Sequence, residues 1–169
     1  PGSDILILGH DDRPVGAGEA GEVVGRSRFV MAGYWRKPEA TAAAMWADDD
    51  GRYWLRSGDI GRVDEQGYLY IVDRKKDMIV SGGQNIYPAD LEAVLIQHPD
   101  VLECAVIGVP SDVWGESPLA LVTMRQGADI GADEIRQWLN RRVGKQQRVV
   151  AAEVRSELPR NATGKLLKQ

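Results

Sequence analysis

Four short stretches of this chain concentrate residue types able to hold sugars, phosphates or thin flexible ligands. The first is Arg56-Ser57-Gly58-Asp59, at the predicted end of a strand. A carboxylate beside a glycine there can accept both donors of a diol. The second is Asp73-Arg74-Lys75-Lys76-Asp77, a charged connector in which Arg74 offers a forked donor and Lys76 and Asp77 sit where a hinge would. The third is Ser81-Gly82-Gly83-Gln84-Asn85-Ile86-Tyr87-Pro88, where two glycines let backbone approach a ligand closely. The fourth is Leu158-Pro159-Arg160-Asn161-Ala162-Thr163-Gly164-Lys165. Its Gly-Lys pair resembles a phosphate loop but fails that pattern. Pro159 stands where the first Gly belongs, and Leu166 replaces the magnesium-binding Ser or Thr. Lys165 therefore reads as a point charge on a mobile loop. Taken singly, the four also read as a turn carboxylate, a solvated linker, a structural Gly-Gly turn and a surface lysine. His10 and His98 have no metal or triad pattern around them, and Cys104 sits in an apolar run as a small buried hydrophobe.

The elements that must position these stretches follow from periodicity and turn signals. Asp4–Leu8, Gly21–Gly25, Tyr53–Arg56, Ile60–Val63 and Tyr68–Val72 read as short strands, with a helix over Glu39–Met45 and a hairpin turn at Asp64–Gly67. Short strands at short spacing predict a small barrel or sheet. Beyond Asp73 the texture changes. A short strand at Met78–Val80 precedes a helix over Ala89–Gln97 opened by Pro88. Strands over Glu103–Val109, Leu119–Met124 and Val149–Val154 alternate with a helix over Ala132–Val143. The predicted fold class is α+β. A β-barrel-like subdomain (1–73) and a hinge (74–77) are followed by an α+β lid (78–169) whose three-stranded sheet is flanked by helices.

Composition bounds the classes. The chain has 169 residues, 43% hydrophobic and 27% charged, which is globular and long enough for one domain or two small ones. One cysteine excludes an internal disulfide framework and a multi-cysteine zinc site. No apolar run reaches a membrane span and no secretory signal opens the chain, so a reducing cytoplasm is expected. A net charge of −4 argues against nucleic acid, although nine Lys or Arg from Arg136 onward face only Glu153 and Glu157. No aromatic residues interleave this basic tail after Trp138, so phosphates of a small ligand are the better expectation. A start without Met, running straight into a strand, suggests that the length is not the gene's length.

Together and in this order, Tyr53–Asp59, Gly67–Asp77, Ser81–Pro88 and Pro159–Lys165 resemble the C-terminal portion of AMP-forming acyl-CoA synthetases, members of the adenylate-forming superfamily. Gly33-Tyr34-Trp35, Pro38-Glu39-Ala40-Thr41 and Gly115-Glu116 also match the family's pattern, so the resemblance covers nearly the whole chain. It implies that Asp59 holds the ATP ribose, that Arg74 assists near ribose and phosphate, and that Lys76 is the hinge position. It also implies that Ser81, Gly82 and Gly83 line the pantetheine path of CoA, and that Lys165 is the catalytic lysine of acyl-AMP formation. The implied ligands are ATP or AMP, CoA and a fatty or aryl carboxylic acid. The triphosphate loop, the acyl pocket and the Mg2+ ligand belong to a missing N-terminal domain on which this piece would dock. The chain alone is then expected not to adenylate. The Ser81–Pro88 stretch resembles the fatty-acyl and aryl-CoA ligase version. A carrier-protein acceptor, as in acyl-AMP ligases and peptide-synthetase domains, and a non-catalytic nucleotide- or CoA-binding module stand as the alternatives.

Overall fold

The computed structural model describes residues 2–168. The chain divides into two compact units, Pro1–Lys76 and Asp77–Gln169.

The first unit is built from β1 (Ser3–Leu8), β2 (Gly21–Ser27), α1 (Pro38–Ala43), β3 (Met45–Ala47), β4 (Tyr53–Val63) and β5 (Leu69–Arg74). Its five strands form an antiparallel sheet in the order β1-β2-β4-β3, with β5 also on β4. The sheet has ends at β1 and β3, so the barrel-like expectation resolves into an open sheet. Alternating inward residues make a small core of Leu8, Val24 and Trp54, with Leu6 and Trp46 against it.

Two local expectations are corrected. Tyr53–Val63 is one strand rather than two. Between the pairs Val24↔Arg56 and Glu22↔Ile60, β4 carries two more residues than β2. Ser57-Gly58-Asp59 is thus a bulge inside a strand, not a strand end; a bulge bends a strand without ending it. The predicted helix over Glu39–Met45 also stops early. Met45-Trp46-Ala47 turns into β3, where Trp46 pairs with Trp54 and packs its ring 6.3 Å from that ring.

The second unit comprises β6 (Ile79–Ser81), β7 (Gln84–Ile86), α2 (Pro88–Leu95), β8 (Val101–Ser111), β9 (Gly115–Met124), α3 (Ala132–Asn140) and β10 (Ala151–Val154). The sheet has five strands in the order β10-β9-β6-β7, with β8 also on β9, where three were expected. β10 is parallel to β9 and the other pairs are antiparallel. β6 is the short strand expected at Met78–Val80, here joined to the sheet, and β7 is the strand that was not expected; each has three residues and Gly82-Gly83 joins them. Leu91 and Leu95 of α2 and Ile135 and Leu139 of α3 are fully buried at a spacing of four. They close a core with Ile79, Ile86, Val101, Val106, Ala120, Val122 and Val149. Each Leu, Ile or Val side chain among them contributes roughly 1.5–3 kcal/mol of burial. Burial, with the charge of Glu92 nearby, pushes the Cys104 thiol up to about 11, so it is protonated at neutral pH. Among the described residues no helix is long and apolar enough to cross a membrane.

The β3–β4 turn is tied by one carboxylate. Asp48 accepts the Arg52 backbone N–H at 2.8 Å, the Arg52 guanidinium at 2.7 Å and the Trp54 indole N–H at 2.9 Å. Partial removal from water would raise its pKa, yet these donors hold it down to about 2 from its ordinary 3.8. A lowered folded pKa adds stability above the unfolded value and loses it as pH falls. The urea midpoint of the wild type should therefore drop between about pH 4 and pH 2 more than that of Asp48→Asn. Parallel midpoints across that range would refute this.

Candidate functional site

In the first unit, Asp59 and Arg74 face each other in register across β4 and β5. Arg74 Nη1 lies 3.0 Å from Asp59 Oδ1. The Asp59 N–H donates to Ser57 Oγ at 3.0 Å, which ties the backbone of the bulge at the residue that carries the carboxylate. The result is an accessible carboxylate with a guanidinium beside it, able to accept hydroxyls while the cation faces an anion. Next along the chain, Lys75-Lys76-Asp77 form a single tight helical turn. Lys75 Nζ lies 2.8 Å from Glu22, a buried carboxylate that also pairs with Arg56. The turn thus begins from a residue ion-paired into the first unit, and Lys76 follows, exposed.

In the second unit, Ser81 pairs with Gln84 around Gly82 and Gly83, whose φ values are +57° and +78°. Two consecutive positive φ values are the type I′ hairpin requirement, which glycine meets without strain. The Gly pair is therefore needed by the turn, whatever else it does. The Gly82 N–H donates to the Trp114 carbonyl at 2.9 Å. A Cβ on Gly82 would lie 2.8 Å from Trp114 Cε3. Glu116, beside Gly115, accepts the Val80 N–H at 2.9 Å and so braces β6.

Ser81, Gly82 and Trp114 form one wall of a cleft of about 810 Å³. Arg136, Arg141, Lys145 and Arg148 line it as well. Arg136 is paired with Asp133 at 2.7 Å. Arg141, Lys145 and Arg148 are exposed and pair with no carboxylate among the described residues. The cleft therefore joins a narrow glycine–tryptophan wall to a cationic one, a combination suited to a slender ligand with several phosphates.

Lys165 is not on a loose loop as expected. Arg160 and Leu166 form an antiparallel bridge, and the Asn161 N–H donates to the Lys165 carbonyl at 2.9 Å. Asn161 Oδ1 accepts the Thr163 N–H at 3.0 Å, the Lys165 N–H at 2.9 Å and the Thr163 hydroxyl at 2.7 Å. Gly164 completes the turn at φ +81°. The hairpins at Asp48–Arg52 and Asp64–Tyr68 use the same plan, an Asx side chain accepting two backbone N–H groups with Gly three residues on. The Lys165 ammonium itself has no ion-pair partner among the described residues.

A family profile described as the AMP-binding enzyme C-terminal domain matches residues 90–165, which include Trp114, the cationic wall and Lys165. Residues 90–165 are an AMP-binding enzyme C-terminal domain. The chain is 43% identical over 167 residues to a 2-succinylbenzoate–CoA ligase of Geobacillus kaustophilus, covering 99% of this chain and 33% of that protein. A feruloyl-CoA synthase of an Amycolatopsis species is 45% identical over 98% of this chain and 33% of its own length. ATP-bound MatB from Rhodopseudomonas palustris superposes with a TM-score of 0.88 at 33% identity, over 98% of this chain and 32% of that one. The chain thus spans about a third of the length of the curated relatives it matches, and these relatives are CoA ligases.

Within this AMP-binding domain, reading the sequence missed Trp114 and the grouping of Arg141, Lys145 and Arg148. The excess of basic residues after Arg136 was visible, but only the α3–β10 connection gathers these cations on the cleft that also holds Gly82. Among the described residues no group of three or more His, Cys, Asp or Glu is disposed to hold a metal ion.

Gly82→Ala should lower the unfolding free energy of the second unit by roughly 1–2 kcal/mol, the cost of a left-handed non-glycine residue. Because that strain is in the backbone, the loss should persist in a Trp114→Ala background. Urea unfolding of both variants checks this, and full recovery in the double variant would assign the loss to ring contact alone.

Proposed function

We propose that this chain is the C-terminal part of an ATP-dependent carboxylate–CoA ligase. The single observation that carries the reading is the cleft in which Gly82 and Trp114 meet Arg141, Lys145 and Arg148. CoA is a thin pantetheine arm on a nucleotide bearing three phosphate groups. The narrow wall suits the arm and the cationic wall suits the phosphates. A carrier-protein acceptor presents one phosphate and leaves most of those cations without purpose, so the cleft favours free CoA over the carrier-protein reading.

In the first step a substrate carboxylate oxygen attacks the α-phosphorus of ATP. A new O–P bond forms, the α–β bridging P–O bond breaks, and pyrophosphate leaves. Nucleophile and phosphate are both anionic, so an ammonium between them offsets their repulsion and the charge developing in the transition state. Lys165, without an ion-pair partner among the described residues and set on a rigid hairpin, is the residue proposed for this. Asp59 would accept the ribose hydroxyls, with Arg74 beside it. In the second step the CoA sulfur attacks the acyl carbon, a C–S bond forms, and the acyl–phosphate C–O bond breaks to release AMP. Ser81, Gly82 and Gly83 would border the arm, and Lys76 is the proposed hinge between the two uses of this domain. Magnesium, if engaged, would neutralise ATP phosphates from residues of the longer protein. Adenylation is assigned to that longer protein and not to this chain alone. The single Cys104 fits a reducing cytoplasm.

The test is replacement of Arg141, Lys145 and Arg148 together by Ala in the full-length ligase. Charge-assisted contacts are worth roughly 1.5–3 kcal/mol each, so KM for CoA should rise by at least about 10-fold. KM for ATP and for the acid should stay put, and the wild-type preference for CoA over dephospho-CoA should shrink. An unchanged KM for CoA would overturn this reading of the cleft, and no turnover with CoA in the wild type would favour a carrier-protein acceptor.

A further inference from the structure

The Lys165 hairpin is fixed within itself by Asn161, but a hairpin also needs an anchor to the body that carries it. One end is held by Leu158, which is buried at 4% exposure, and by the Leu167 N–H donating to the Pro159 carbonyl at 2.9 Å. The tip is held differently. Arg160 sends Nη1 to the Gly164 carbonyl at 2.7 Å, and its Nη2 pairs with Glu103 on β8. Gly164 is the residue immediately before Lys165. One guanidinium therefore links the turn's last glycine to the central sheet, and only a forked donor can span both acceptors at once. A second tie lies just past the hairpin, where Lys168 Nζ sits 2.7 Å from Glu92 Oε1 on α2. That oxygen also accepts the Val106 N–H of β8 at 2.7 Å.

We infer that Glu103 and Arg160 are positioning residues for Lys165. They set where the ammonium can reach without touching any reactant themselves. The inference rests on the reading of Lys165 as the adenylation lysine. A surface ion pair contributes little to stability, so this pair has little to do for folding. Its effect is on reach. Release of the brace lets the hairpin tip swing about Pro159 and Leu167, and a displacement of an ångström at a catalytic group is costly in rate.

The test compares Glu103→Gln, Arg160→Lys and Lys165→Ala in the full-length ligase. Glu103→Gln and Arg160→Lys should each lower kcat of acyl-adenylate formation by on the order of 10-fold. KM for ATP and the rate of thioester formation from supplied acyl-adenylate should stay within about 2-fold of wild type, and the urea midpoint should not move. A second readout needs no activity. Trypsin should cut after Lys165 several-fold faster in Glu103→Gln than in wild type, because the braced hairpin resists the extended conformation a protease requires. If Lys165→Ala abolishes adenylation while Glu103→Gln leaves both adenylation and tryptic cleavage unchanged, the brace is refuted and the reading of Lys165 stands. If cleavage accelerates but Lys165→Ala spares adenylation, the brace exists and the reading of Lys165 fails, which removes the catalytic part of the inference. An equal fall in both half-reactions with a lowered urea midpoint would show a merely structural pair and overturn it.

Discussion

The role proposed for Lys165, between two anions, asks for a lysine fixed at its backbone and left unneutralised at its tip. These demands conflict, because the usual way to fix a long cationic side chain is to pair it. The second unit separates them. Asn161 and Gly164 fix the main chain around Lys165 through a five-residue hairpin, while the ammonium stays without a carboxylate partner among the described residues. The neighbouring cations are spent on structure. Arg160 pairs with Glu103 and Lys168 with Glu92. The same division holds at the cleft, where Arg136 is paired on its own helix and Arg141, Lys145 and Arg148 are not. Cations without a carboxylate, gathered on one wall, are what distinguish a phosphate site from a merely basic surface.

The hairpin that carries Lys165 is not a special construction. The chain uses the same Asx-to-glycine turn at Asp48–Arg52 and at Asp64–Tyr68, where the following residue is Arg or Tyr and the turn joins consecutive strands. What differs at Lys165 is the side chain presented at the turn's exit. The type I′ turn at Gly82-Gly83 is similar in spirit. Its glycines are required by backbone geometry, and Gly82, beside Trp114, borders the cleft as a consequence. The proposed roles are added to turns that the sheets need in any case.

Much of this was legible in the residues. Alternation and turn signals located most of the longer strands and all three helices. Errors arose where tertiary context overrides local pattern. Ser57-Gly58-Asp59 looks like a strand end because glycine interrupts the apolar run, but pairing with β2 and β5 carries the strand through it as a bulge. Met45 looks helical beside Ala42 and Ala43, but the Asp48 turn recruits it to β3. Ser81-Gly82-Gly83-Gln84 was read both as a close approach to a ligand and as a structural Gly-Gly turn, and the polar Gln84-Asn85 hid the short strand that follows the turn. Lys165 was read as mobile because Asn161-x-x-Gly164 was not recognised as the turn already present at Asp64-x-x-Gly67. Trp114 and the cationic wall could not be found from spacing, since they come from separate elements and meet only through the fold of the second unit.

In the proposed function one domain presents two separate faces to two successive reactions, a lysine hairpin to adenylation and a cationic cleft to thioester formation. The most direct measurement is each half-reaction followed on its own in the full-length ligase, by pyrophosphate release and by thioester formation from supplied acyl-adenylate. Lys165→Ala should lose the first and keep the second, whereas removal of Arg148 should weaken the second at limiting CoA and leave the first unchanged. Equal loss of both steps in both variants would contradict the account.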